Sequence, residues 1–270
     1  MTSLQARNSS PNDSGFVKPL EELGRAIDVH LQSSHNLGNL YYLRADNPVF
    51  TRLRTELFYE AKMYVDRIFQ KTLGAADTFR NISATSHEAR TLSSSRLLHD
   101  LSSYGQKVEA GVKTLVIQYT KFGNRLRRLE KKIEAERKQV FDSQGYGTLK
   151  AISSWFSRGN DSSQDLQNMD ILLSTIQIIK SAVSEMQLFL TSLWNLTSVI
   201  GTGRLDTVFK TTSNQRCNLS YSEVNGLGKT IVDECARLRN VCKEVLQTIY
   251  SLRVTVPDEV RTAWFWEVEA

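Results

Sequence analysis

The sequence predicts an all-α protein, an elongated bundle of four to five long antiparallel helices. Three observations carry that prediction. The four prolines stand at positions 11, 19, 48 and 257, so no proline interrupts Val49 to Val256, as expected of helices joined by short connections. Apolar residues recur at steps of three and four over several segments, most regularly in Val108, Val112, Leu115, Tyr119, Phe122, Leu126, Leu129, Ile133 and Val140, a heptad seam that asks for partners along its length. Between such segments lie Gly- and Ser-rich stretches that close with helix-start signals.

In chain order, residues 1–18 are polar and rich in Ser and Asn, and read as a disordered tail. A first short helix is expected from Pro19 to Gln32, with Leu20, Leu23, Ile27 and Leu31 on one face, and a loop or second short helix over 33–46. Asn47-Pro48 combines an N-cap with proline at the first helical position, opening a long helix over 47–83. The Ser-rich run Ser83 to Ser95 bends the chain or continues a helix weakly, and a helix from Ser95 to Phe141 follows, roughly 70 Å long at 1.5 Å per residue. Gly145, Gly147, Gly159 and Asn160 place a connection at 142–164, and Ser162-Ser163-Gln164-Asp165 reads as a capping box. The helix beyond it is apolar on most sides, Lys180 and Glu185 being its only charges between Ile171 and Ile200. Such a helix is either the central one of the bundle or a segment that meets a membrane. Gly201-Thr202-Gly203 ends it. Ser220 to Glu223 is a second capping box, and the last long helix carries the seam Val224, Leu227, Ile231, Leu238, Val241, Val245, Ile249 and Leu252. The domain reading is therefore 1–18 tail, 19–256 helical bundle, and 257–270 an aromatic C-terminal tail holding Trp264, Phe265 and Trp266.

The net charge of +5 over 270 residues is too small for a dedicated nucleic-acid binder, so no nucleic-acid partner is expected. The N-terminus lacks the apolar segment of a secretory signal, and Cys217, Cys235 and Cys242 make an odd, sparse set suited to a reducing compartment or to a secreted protein that does not rely on disulfides. The expected location is cytoplasmic or at the periphery of a membrane.

No catalytic, cofactor-binding or metal site is expected. Gly226-Leu227-Gly228-Lys229-Thr230 looks like the end of a phosphate-binding loop, but the pattern requires glycine where Glu223 stands, and no strand precedes it. Cys235 and Cys242, seven apart, read as buried small apolar residues rather than metal ligands. His30, His35 and His99 have no Cys or carboxylate company at ligand spacing and read as surface or capping histidines.

One constellation points to a function. Arg125, Arg127, Arg128, Lys131, Lys132, Arg137 and Lys138 crowd the end of the longest helix against Glu130, Glu134 and Glu136. Shortly after them Leu149, Ile152, Trp155 and Phe156 give a short amphipathic turn, the kind of pairing an anionic membrane surface attracts. The membrane-binding set is thus Arg125, Arg127, Arg128, Lys131, Lys132, Leu149, Ile152, Trp155 and Phe156.

The order of elements resembles the α-helical pore-forming toxins of the cytolysin A and haemolysin BL type. The likeness covers about 47–256. It lies in the run of long heptad helices, the insertion at 142–164, and the following helix with Met169, Leu173, Ile176, Val183, Met186, Leu190 and Trp194. The resemblance implies a non-enzymatic bundle that associates with membranes. Residues 142–164 are, however, short and polar where those toxins carry an apolar hairpin. The alternative is a cytosolic coiled-coil scaffold, a protein-interaction module binding partner helices or forming a homo-oligomer through exposed seams.

Overall fold

The computed structural model describes residues 15–43, 47–92, 95–145, 161–203 and 221–252. Among them there are helices and no strand: α1 (Val17–Tyr41), α2 (Pro48–Tyr64) running through a π turn (Val65–Phe69) into α3 (Gln70–Leu92), α4 (Ser95–Gly145), α5 (Asp161–Gly201) and α6 (Tyr221–Ser251). Because α2, the π turn and α3 form one rod, five rods make up the bundle. With 51 residues, α4 extends roughly 75 Å.

The rods alternate in direction, and cross-links between helices fix their registers. Down the antiparallel pair α4–α5, Arg137 meets Asp170, Lys180 meets Glu130 at 2.7 Å, and the Trp194 indole donates to Glu109 at 3.1 Å. At the base the two backbones nearly touch. A Cβ on Gly105 would lie 3.0 Å from the Thr197 carbonyl and from the Gly201 nitrogen. Ser102 and Gln106 donate to the Gly201 carbonyl from 3.0 and 2.8 Å. α5 also packs on α1, where Arg25 pairs with Glu185. α1 runs parallel to α6, as Asp28–Arg237 and the approach of Gly38 to Thr248 show.

The rod formed by α2 and α3 meets all four others, while the apolar α5, which the sequence offered either as the central helix or as a segment that meets a membrane, packs chiefly on α4 and α1. The central rod of α2 and α3 is buried almost all round from Leu57 to Phe69. Polar groups there find partners inside the protein, as burial demands. His30 of α1, read from sequence as a surface or capping histidine, is buried. Its ring stacks on Phe69 at 4.6 Å, Nδ1 lies 2.7 Å from the Ala26 carbonyl, and Nε2 lies 2.6 Å from the Tyr64 hydroxyl. The Tyr64 and Tyr119 hydroxyls are hydrogen-bonded at 3.1 Å, and Tyr64 stacks on Phe122 at 4.6 Å. One chain of hydrogen bonds therefore joins α1, the central rod and α4.

Several boundaries differ from those read in the sequence. α1 is a single helix to Tyr41, because Ser33 and Ser34 sit on its buried face and Leu37 and Leu40 continue that face. The expected tail ends before Phe16, which is buried and stacks on Phe79 at 6.2 Å. α3 runs to Leu92, so the Ser-rich stretch continues the helix as far as that residue. α5 starts at Asp161, and Asp165 accepts from the Asn47 side chain at 2.8 Å, tying α5 to the cap of α2. That cap is as expected: Asn47 Oδ1 accepts from the backbone N–H groups of Val49 and Phe50. Positive φ at Gly203 marks the end of α5.

The α4 seam faces inward from Val112 to Ile133. Phe122→Ala and Leu126→Ala are each expected to destabilise the fold by about 2 to 5 kcal/mol, measured by urea unfolding; parental stability in both would mean that the seam is not core. Burial also lowers the pKa of His30 from its ordinary 6.5 to about 4. The unfolded chain accepts a proton that the folded chain refuses, so this histidine makes stability fall as pH drops from about 6.5 toward 4, by roughly 3 kcal/mol in all. The buried Glu22 carboxyl is raised by desolvation and acts in the opposite sense. Comparing unfolding at pH 7 and 4.5 for the parent and for His30→Gln isolates the histidine, and the variant should lose less stability.

Candidate functional site

The heptad of α4 sorts its charged residues by role. With Val112, Tyr119, Leu126 and Ile133 at position a and Leu115, Phe122 and Leu129 at d, the e flank meets α5 and the g flank meets the central rod, while b, c and f face outward. Of the sequence-predicted set, Arg125 falls at g. It is only 9% exposed and clamps Glu60 with two hydrogen bonds of 2.9 and 2.6 Å. Arg125 is therefore a core residue and leaves the surface set. The pairing was not legible because Glu60 lies sixty-five positions away. Lys132, also at g, reaches Glu56 at 2.6 Å and stays partly exposed. Arg137, at e, is bound by Asp170, which raises its pKa through a hydrogen bond and charge attraction.

Arg127, Arg128 and Lys131 are exposed at b, c and f. Leu149, Ile152, Trp155 and Phe156 lie outside the described residues, as do Cys217 and the aromatic stretch Trp264 to Trp266. The structure adds residues that the membrane-binding set left out. Lys107, Lys113 and Lys138 occupy the same outward positions and are exposed, as are two large apolar side chains, Ile117 (48%) and Phe141 (61%). Between Lys107 and Asp142 these positions carry six exposed basic residues against the exposed acids Glu134 and Asp142. Counting outward heptad positions from the seam would have found this ridge. A cluster defined by proximity in sequence mixes it with inward-turned residues. The ridge runs roughly 45 Å along α4.

Elsewhere, Cys235 and Cys242 are buried. Burial pushes the Cys235 thiol up to about 11 and raises that of Cys242, away from reactive thiolate. Gly226 to Thr230 lies within helix α6, with no loop to wrap a phosphate. No group of three or more metal-ligating side chains occurs among the described residues. Comparisons with protein-family models, curated proteins and solved structures find no match.

Removing Arg125 takes two hydrogen bonds and a counter-charge from a buried carboxylate, so Arg125→Ala should destabilise by about 3 to 5 kcal/mol. Lys131→Ala, on the exposed ridge, should stay within about 0.5 kcal/mol of the parent. Urea unfolding of the two variants checks this division; equal effects would contradict it.

Proposed function

We propose that this chain is a non-enzymatic peripheral membrane protein that lies side-on against anionic lipid surfaces through the exposed ridge of α4. The observation that carries the reading is the joint display, on outward positions of one long helix, of six cations with Ile117 and Phe141. Each basic residue held near an anionic surface contributes about 1 kcal/mol before screening, and exposed apolar side chains enter the interfacial layer. The cations stretch too far along the axis for an end-on approach. Lys113 stands roughly 40 Å from Phe141 along the helix, well beyond the Debye length of about 8 to 10 Å. A helix lying flat brings all of them into reach.

Among the described residues no helix is long and apolar enough to cross a membrane. Of the likeness to pore-forming toxins, the proposal keeps surface association and leaves aside a bilayer-spanning hairpin. The scaffold alternative needs a heptad seam open to partner helices, and the α4 seam is buried within the single chain, which favours the lipid reading. If acidic helices were the partner, the same ridge would be used without the apolar requirement.

Co-sedimentation with vesicles tests this. The protein should pellet with phosphatidylserine-containing vesicles and not with phosphatidylcholine alone. Replacing Lys113, Arg127, Lys131 and Lys138 by Gln should weaken binding at least tenfold at low salt, with little further loss at high salt. Ile117→Ser with Phe141→Ser should weaken it at every salt concentration. Failure of the parent protein to pellet with anionic vesicles at low salt overturns the proposal.

A further inference from the structure

The buried polar contact between α1 and the central rod is built around a titratable ring, and the π turn shapes its socket. Hydrogen bonds in a π turn span five residues, which brings Tyr64 and Phe69 to one side with their rings stacked at 5.7 Å. In an α-helix, at 3.6 residues per turn, side chains five apart diverge by roughly 140°. His30, 1% exposed, lays its ring on both, 4.6 Å from Phe69 and 5.9 Å from Tyr64.

The partners fix where the proton sits. A carbonyl only accepts, so Nδ1 carries the hydrogen that faces Ala26, and Nε2 accepts from the Tyr64 hydroxyl, which accepts in turn from Tyr119. A second proton, on Nε2, turns this row around: Nε2–H donates to Tyr64, Tyr64 to Tyr119, Tyr119 to Thr72, and Thr72 to the Phe69 carbonyl. Every hydrogen bond survives. What protonation adds is a charge with nothing to answer it. The titratable groups facing the site are Tyr64, Tyr119 and, on α6, Cys242, and burial raises the pKa of each, keeping all three neutral. The charges on the surrounding elements already have partners: Glu60 of the central rod pairs with Arg125 of α4, Arg25 of α1 with Glu185 of α5, and Asp28 of α1 with Arg237 of α6, while Asp66 of the π turn accepts from Tyr250 and Glu22 of α1 is bound to Ser192. None of them acts on His30, which responds to its burial and to the Ala26 carbonyl, and burial lowers its pKa to about 4.

We propose that this site is an acid-sensitive latch: a proton on His30 parts α1 from the central rod while the other four rods stay assembled. An unpaired buried charge is relieved by water, and α1 is the rod whose other ion pairs, Arg25–Glu185 and Asp28–Arg237, are exposed and so contribute little. α4, by contrast, is tied to the central rod by the buried Arg125–Glu60 pair and to α5 by the backbone contact of Gly105 with Gly201, neither of which contains a histidine. Parting uncovers Leu23, Ile27, Leu37 and Leu40 of α1 and the flank of α5 beneath them, an apolar surface that is closed at neutral pH. The latch goes beyond the lipid-surface reading and does not depend on it.

Hydrogen exchange of the full chain at pH 7.5 and pH 5, corrected for the pH dependence of the chemical step, reads opening helix by helix. With an ordinary pKa of about 6.5 once the ring is hydrated, the acid step raises opening of α1 about 30-fold through His30. Glu22, whose pKa is raised by desolvation, acts in the opposite sense. The quantity to read is therefore the acid response of the parent divided by that of His30→Gln, which retains Glu22. This ratio is expected to be about 30 in peptides of α1 and within about threefold of unity in peptides of α4 between Val112 and Ile133. A ratio below about ten in α1, or one of the same size in α4, overturns the latch. A cooperative melt at pH 7.5 verifies that His30→Gln is folded. Tyr64→Phe gives a second handle: it keeps the histidine and the stacked rings but removes the oxygen that would accept Nε2–H. Its acid response in α1 should equal or exceed that of the parent, and a smaller response also overturns the latch.

Discussion

Between Leu57 and Phe69 the rod of α2 and α3 is buried on most sides, and that constraint organises the bundle. From Leu57 to Phe69 the central rod cannot turn Glu60 or Tyr64 to water, so the surrounding helices must answer them. Arg125 of α4 answers the carboxylate and His30 of α1 answers the hydroxyl, with Tyr119 joined behind it. Apolar packing alone would allow a helix to slide by a turn at small cost. A buried ion pair and a buried hydroxyl chain do not, since either becomes an uncompensated polar group once the register slips. The placement of α1 and α4 against the core follows from those few bonds.

The same helix shows how one residue type takes on two jobs. Along α4, basic side chains at e and g close ion pairs with neighbouring rods, and those at b, c and f remain at the surface. Position on the heptad, not charge density along the chain, separates the cations that form ion pairs with neighbouring rods from those that stay exposed.

These distinctions mark where the sequence was legible. The α4 seam, the Asn47-Pro48 start and the glycine stop after Ile200 are local signals, and the all-α bundle follows from them. The continuity of α1 past Ser33 and Ser34 was hidden because small polar residues lie on its buried face. The central rod was hidden because its enclosed stretch contains Glu60, Lys62 and Asp66, whereas α5 looks central through the absence of charge. Burial of Arg125 and His30 depends on partners in other helices, which no periodicity reveals. Of the surface set, Arg127, Arg128 and Lys131 were found from sequence. The ridge as a whole needed the seam's phase carried outward over the full length of the helix.

The contact of Gly105 with Gly201 has a mechanical meaning. Where two helices meet backbone to backbone, with Ser102 and Gln106 bound to the Gly201 carbonyl, the pair is riveted at that end. Distal to it α5 extends roughly 60 Å. A lever of that length converts each degree of opening at the rivet into about 1 Å at the far tips. Holding the far tips together therefore falls to the cross-links beyond the rivet, Lys180 with Glu130 and Arg137 with Asp170.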